Sequence, residues 1–300
     1  MKQYILILLM ATLACTVAAG ISDRAGEYGY KFLNIPVNPV SQALAGRGLH
    51  SLENSASWLW QPASAMMHVQ NSVSASHSTW IGDTAYSSLV YSRSSRTSHV
   101  GFALRNLSYG EIEQRADSAV LLGYYSPADL GLTGNYALRV TPSIYVGANL
   151  GVYYQKIDTA SSLALSTDIG ISSLTFVKDS RLSFSVRNLG LSNKMDHEQV
   201  KLPISFDLDA NKGFALGEQY LNLETGIVIT PDSDPQTHLA TELTLLKRIN
   251  LRTGYKFNHD SADFSAGIGF NVSHFVVDYA FVPYTEGLGN VHSFGLSYRF

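Results

Sequence analysis

Leu163-Ala164-Leu165-Ser166-Thr167-Asp168-Ile169-Gly170-Ile171 alternates strictly: Leu163, Leu165, Thr167, Ile169 and Ile171 stand between Ala164, Ser166, Asp168 and Gly170. Side chains on a strand point to opposite faces in turn, so this stretch carries one apolar face and one of small and polar residues. Outward from it the pattern recurs. Ile144 to Val152 alternates with Tyr145, Gly147, Asn149 and Gly151; Ile249 to Phe257 with Asn250, Arg252, Gly254 and Lys256; Phe264 to Val272 with Ser265, Gly267, Gly269 and Asn271. From about Val69 the alternation holds to the last residue.

A soluble sandwich would alternate too. Three features favour strands in lipid. The polar faces are glycine, serine and asparagine with single charges, where a soluble surface would carry more Lys and Glu. Many segments run about ten residues, the length of a tilted membrane strand. No helical pattern interrupts residues 68–300. Strand edges cannot stay unpaired in lipid, so the sheet is expected to close, with Tyr and Phe near strand ends as aromatic girdles. At roughly 16 to 18 residues per strand and turn, that span holds about fourteen strands. The expected fold is therefore all-β, a transmembrane antiparallel β-barrel, with its longest loops near 107–117, 190–201, 230–236 and 283–290.

Composition agrees. The 300 residues are 45% hydrophobic but only 15% charged, and the mean hydropathy is +0.03. Soluble domains carry about 25% charged residues. The aromatic and apolar content excludes a disordered chain. After residue 19 no run approaches the roughly 20 apolar residues of a spanning helix. The formal charge of −3 includes no basic run, so no nucleic-acid partner is expected.

Residues 1–19 read as an export signal: Lys2, an apolar run from Tyr4 to Ala14, then Val17-Ala18-Ala19 at the cleavage position. Thr12-Leu13-Ala14 matches a lipid-attachment box poorly. Cleavage after Ala19 removes Cys15, the single cysteine, leaving neither disulfide nor thiol site. Residues 20–67 lack the alternation and hold Pro36, Pro39 and Pro62. One short helix is expected where Asn38 caps Pro39 and Gly46 stops the run after Ala45, and a second from about Glu53 to Trp60.

The chain ends Ser293-Phe294-Gly295-Leu296-Ser297-Tyr298-Arg299-Phe300. Gly295, Tyr298 and Phe300 resemble the terminal signal read by the outer-membrane assembly machinery. An integral place in a Gram-negative-type outer membrane follows, with membrane lipid and that machinery as partners.

Further stretches resemble the PorV/PorQ family of type IX secretion barrels, on the PorQ side, whose barrels look like FadL-type channels. These are Phe32-Leu33-Asn34-Ile35-Pro36, Gln42-Ala43-Leu44-Ala45-Gly46-Arg47-Gly48, Trp58-Leu59-Trp60-Gln61-Pro62-Ala63, Leu104 to Glu111 and Phe184 to Gly190. Leu202-Pro203, Asp278-Tyr279-Ala280, Leu288-Gly289 and His292-Ser293-Phe294 add weaker matches. Gln61 stands where the family usually has asparagine. The resemblance implies that residues 20–67 form a hatch inside a FadL-like barrel, with Leu44, Gly46, Gly48, Trp58, Trp60 and Pro62 as its motif. It implies a secretion or surface-attachment role through secretion-system or surface proteins. The alternative is a FadL-like channel for hydrophobic compounds, which would need an apolar pocket and a lateral gap; bound lipid or detergent could accompany it.

No enzyme is expected: G-x-S-x-G, H-E-x-x-H, a phosphate loop and a calcium loop are absent, so no catalytic, cofactor-binding or metal-ligating residue and no cofactor is assigned. The nine histidines are scattered and read as interfacial or loop residues. Asp168, Arg187, Glu224, Arg252, Lys256, Asp278 and Arg299 fall opposite the apolar face of their strands. They would either line a lumen for a polar solute or, the favoured reading, form a paired network inside a plugged barrel that also satisfies hatch backbone groups.

Overall fold

Alternation is what the wall of the molecule is built from. The computed structural model describes residues 26–300 apart from 68–70, 118–119 and 260, so the export-signal reading of residues 1–19 lies outside it. Its strands are β1 (Ser72–Thr79), β2 (Ala85–Ser94), β3 (Ser98–Ser108), β4 (Ile112–Arg115), β5 (Leu121–Tyr125), β6 (Ala128–Arg139), β7 (Ile144–Ile157), β8 (Ala160–Leu174) and β9 (Ser180–Ser192). They continue as β10 (Lys194–Met195), β11 (Glu198–Gln199), β12 (Ser205–Leu216), β13 (Gln219–Thr230), β14 (Ser233–Leu245), β15 (Ile249–Phe257), β16 (Phe264–Val272), β17 (Phe275–Pro283) and β18 (Asn290–Arg299). Fourteen of them close an antiparallel barrel, β18 pairing β1 from Ser72↔Arg299 to Thr79↔His292. The pairs β4–β5 and β10–β11 are small hairpins in the two longest loops.

Both ends of the barrel chain lie on the side of the short turns. Short turns mark the periplasmic end of such barrels and long loops the outer end. Of residues 230–236, expected as a loop, only 231–232 form a turn; β13 runs to Thr230 and β14 starts at Ser233. The loop expected at 107–117 is longer, running from Tyr109 to Pro127 around β4–β5.

Outside, Leu150, Leu165, Ile169, Phe184, Leu208, Leu251 and Phe294 stand exposed, an apolar belt that water would not stabilise and lipid does. Among the described residues no helix is long and apolar enough to cross a membrane. Outward aromatics do not only ring the ends. Phe275–Tyr298, Tyr279–Phe294 and Phe281–His292 pair at 5.1, 5.0 and 5.3 Å, climbing the outer face of β17 and β18 beside the closing seam.

Inside, the chain from Tyr30 to Met66 is almost wholly buried and fills the lumen as a hatch. One α-helix, α1 (Pro39–Ala43), starts as expected: Asn38 Oδ1 accepts from the Ser41 N–H (2.9 Å). The expected second helix does not form. Only a 3-10 turn at Ser57–Leu59 is present, and Pro62 opens another at Pro62–Met67 instead of ending the first. Its backbone takes partners from the wall instead: the Ser55, Trp58 and Trp60 carbonyls accept from Ser92, Asn149 and Ser185.

Candidate functional site

An irregular hatch leaves backbone groups that must be satisfied, and the wall's small polar residues do this. Ser76 and Ser88 donate to the Val37 carbonyl (2.8 and 3.1 Å), Ser265 to Ala43, Ser92 to Ser55, Asn149 to Trp58 and Asn135 to Pro62. Gln61 reaches outward, its Nε2 donating to the Ile171 and Phe184 carbonyls at 2.9 Å each. Inward glycines make the socket. A Cβ on Gly147 would lie 2.4 Å from the Pro62 carbonyl, and one on Gly254 2.2 Å from the Ala45 nitrogen.

The hatch has two unlike sides. Toward β1–β3 and β6–β8 it packs mainly on rings and hydroxyls: Trp58 donates to Ser92 (3.1 Å), Phe32 meets Tyr153 edge to face, and the buried Arg105 guanidinium lies over both of those rings (5.7 and 5.6 Å). Toward β9 and β12–β18 it is charged. Arg47 pairs with Asp209 (2.7 Å) and lies 3.7 Å from Asp207, which Arg187 also binds (2.6 Å). Arg47 and Arg187 both stack on Trp60, at 5.8 and 4.6 Å. Burial works against the Arg47 charge, but Asp209 and Asp207 outweigh it and leave its pKa raised, so it stays a cation. Glu224 accepts from the Leu49 and His50 N–H groups (3.1 Å each), and Ser51 donates to Glu242, which shares Arg252 with Asp278. Glu53 pairs with Arg299 of the last strand. Asp168, Arg187, Glu224, Arg252, Asp278, Lys256 and Arg299 thus all point inward, and most of them are paired.

His50, Ser183 and Glu224 form an arrangement like a catalytic triad: His50 Nε2 lies 3.4 Å from Ser183 Oγ and Nδ1 3.1 Å from Glu224. Glu224 is engaged by hatch backbone, and Ser183 is buried with its hydroxyl on Ser172 (2.9 Å), so the group anchors the hatch. His50, His99 and His238 are buried in the lumen, not in loops or at the interface. For His99 and His238 a single inward position in an alternating strand was the signal, since period two fixes direction. Among the described residues no cluster of three or more His, Cys, Asp or Glu could hold a metal.

Toward the long loops, hatch and wall part around a chamber of about 280 Å³. Lys31, Arg47, Arg187, Lys256 and His259 line it, with Asp232 pairing Lys31. Beside it an apolar cluster joins Tyr30, Phe32, Leu33 and Ile35 of the hatch to Tyr86, Leu107, Tyr153 and Leu202. His259 stands in the loop after β15, where its Nδ1 accepts from the Ala262 N–H (3.2 Å). Burial, then Lys256 nearby, pushes its pKa down to about 4. The folded value lies below the free one, so its contribution is complete above about pH 6.5. It is lost as pH falls toward 4. Protease cleavage between Asn258 and Asp263 is expected to rise over that window; His259→Asn, whose amide oxygen stays an acceptor, should flatten the profile, and an unchanged profile would refute the assignment.

The wall is broken next to this chamber. Thr167 pairs Leu189 but Ile169 pairs Val186, so β9 bulges at Arg187-Asn188, with Asn188 at φ +58°. Asp168 holds the bulge by accepting from the Asn188 N–H (2.7 Å). The β9–β12 ladder begins only at Arg187↔Ser205. Above it Leu202-Pro203-Ile204 forms no strand, Pro203 having no N–H to give. Asn188 Nδ2 donates to the Pro203 carbonyl (2.8 Å), and Gly29 of the N-terminal strap donates to Lys201 (3.0 Å). Those side-chain and strap contacts cover the upper seam in place of a ladder.

Of the motif residues expected from sequence, Trp58, Trp60 and Pro62 line the hatch–wall contact described above, while Leu44 is buried beside Val40 and Ala240. Gly46 and Gly48, at φ +81° and +68°, turn the chain after α1. At the C-terminus Tyr298 and Phe300 face outward, whereas Gly295 faces in, where a Cβ would sit 3.0 Å from Pro39. The sequence reading missed Asn54. Its Nδ2 donates to Gly48 O and Ser41 Oγ (2.9 Å each) while Oδ1 accepts from Asn38, closing the hatch on itself.

No family model matches the sequence, and no characterised relative does. The resemblance to PorV/PorQ thus stands on the quoted residues alone. The fold is similar to that of the CymD monoaromatic hydrocarbon channel (TM-score 0.63, 12% identity, 89% of this chain and 97% of that one). It is also similar to the Pseudomonas putida toluene transporter TodX (0.60, 9%, 91% and 98%) and a Pseudomonas aeruginosa FadL homologue (0.55, 10%, 88% and 98%). At these identities the likeness is one of fold.

Proposed function

We propose that this chain is an outer-membrane barrel of the FadL type that admits hydrophobic compounds to the chamber above the hatch. They leave sideways, through the seam between β9 and Leu202-Pro203-Ile204. The observation that carries this reading is the missing upper β9–β12 ladder beside an apolar cluster. Neighbours named as hydrocarbon channels and a toluene transporter share the architecture, which supports the class of compound. A straight path to the periplasm is opposed by the buried ion pairs that hold the hatch, since parting them would leave charges unpaired.

Deleting Asn188 removes the bulge and brings β9 back into register with β8. Uptake of labelled toluene or decane by cells carrying only this variant is expected to fall at least tenfold, with heat-modifiable gel migration unchanged. Undiminished uptake by a folded variant would defeat the lateral route.

The second reading is a type IX-like secretion or surface-attachment component. One observation favours it: hairpin β4–β5 exposes Leu121, Leu122 and Tyr124 beyond the barrel wall, a surface suited to a protein partner. Loss of surface-protein delivery on removing residues 112–125, with uptake intact, would select it.

A further inference from the structure

Hatch and wall part a second time on the short-turn side. Two cavities of about 680 and 270 Å³ flank the hatch tip, and Leu52 and Tyr220 line both. In the larger, Leu52, Ala215 and Leu246 make an apolar wall. Leu52 is 54% exposed, although it belongs to a segment otherwise packed inside the barrel. In the smaller, Leu174 and Val177 continue that wall, and Lys178 and Arg181 stand against the single carboxylate of Asp179.

Polar groups in the smaller cavity are left incomplete. Arg181 and Asn211 are direct partners across β9 and β12, so their side chains share one face. Arg181 Nε and Asn211 Oδ1 have no hydrogen-bond partner, and Asn211 is only 4% exposed. An unmet buried polar group costs about 1–3 kcal/mol, and each such group calls for an explanation. The other end of the Asn211 amide donates to Asn222 Oδ1 (2.8 Å). Turning both amides over keeps that bond with its roles exchanged. An Asn211 N–H then faces the cavity beside the Arg181 Nε–H. Two adjacent donors, one cationic, beneath an apolar wall suit an anionic oxygen head on an apolar chain.

We infer that this periplasmic cleft is a binding site for an anionic single-chain amphiphile. Its head lies on Arg181 and Asn211, and its chain along Leu52 and Leu246. The site lies at the opposite end of the hatch from the chamber next to the wall break, and it stands whether or not that break passes a compound. A free carboxylate and a phospholipid head share the required chemistry.

The test is photo-crosslinking of the full-length barrel in outer-membrane vesicles with decanoate bearing a terminal diazirine, followed by peptide mapping. A parallel arm uses a diazirine-tagged lysophosphatidylglycerol, which carries one acyl chain on a phosphate head. Adducts are expected on peptides covering 50–52, 174–181 and 215–220, competed away by excess decanoate. Labelling should fall at least fivefold in Arg181→Gln and in Leu52→Glu; the latter lies at an exposed position and leaves the wall untouched. Labelling of the same peptides by the lipid probe alone would support the site and name the lipid head as its source. Adducts confined to outward-facing residues or to the chamber around Lys31 and His238 would overturn the proposal. So would wild-type labelling in folded Arg181→Gln and Leu52→Glu.

Discussion

Arg252→Met is expected to destabilise the barrel by about 3–5 kcal/mol, the cost of leaving buried charge without its partner. Arg252 Nε and Nη1 each lie 2.6 Å from a carboxylate, Glu242 on the neighbouring β14 and Asp278 on β17 beyond β16, and its side chain is wholly buried. Glu242 also takes the Ser51 hydroxyl at 2.7 Å, so the damage should reach the hatch. Urea titration followed by heat-modifiable migration gives the measurement. Adding Glu242→Gln and Asp278→Asn to Arg252→Met should restore most of the loss, because no charge is then stranded. A loss below about 1 kcal/mol for the single variant would show that the pair is hydrated instead of buried.

Gly147→Trp is expected to evict the Pro62 segment of the hatch and turn a closed barrel into a conducting one. Even a Cβ there would stand 2.4 Å from both the carbonyl carbon and oxygen of Pro62 and 2.8 Å from the Ala63 nitrogen. These are backbone atoms, so no rotamer change relieves the overlap. Gly170, the direct partner of Gly147 across β7 and β8, lies as close to Gln61 and Pro62, so a shift along the wall toward β8 meets no free space. With the hatch displaced, a fourteen-stranded lumen lined by Ser, Asn and charged residues would fill with water. In planar bilayers the variant should conduct at least ten times more than the unaltered protein under the same voltage and salt. Equal conductance from a folded variant would mean that the hatch absorbs the ring and remains seated.

Much of the wall was legible because period two leaves little freedom. Residues such as Leu165 and Ser166 declare their faces without reference to any neighbour, and a barrel is the only way to pair every strand edge in lipid. The inward direction of Asp168, Glu224 and Arg252 followed from the same alternation. What they meet did not. Glu224 is taken up by the backbone of Leu49 and His50, some 175 residues earlier in the chain, and no local pattern encodes such a partner. The 53–60 segment misled for a related reason: its Ser and Ala residues suit a helix, but Gln61 and Asn54 spend their hydrogen bonds on tertiary contacts instead. The bulge at Asn188 was invisible as a residue type, although Leu202-Pro203 did mark where a ladder must stop. Glycine and serine opposite the apolar face were the overlooked signal for an occupied lumen. A water-filled channel has no need of residues without side chains at Gly147, Gly170, Gly254 and Gly267, whereas a socket for folded backbone does.

The pairing of Glu53 with Arg299 also sets a timetable for biogenesis. Arg299 stands on β18, the last of the fourteen barrel strands in chain order and the one that zips to β1. The hatch therefore waits with this latch open until β18 is in place. The cylinder is wrapped around its own filling, and a chain that stops short of β18 loses the zip and the latch together.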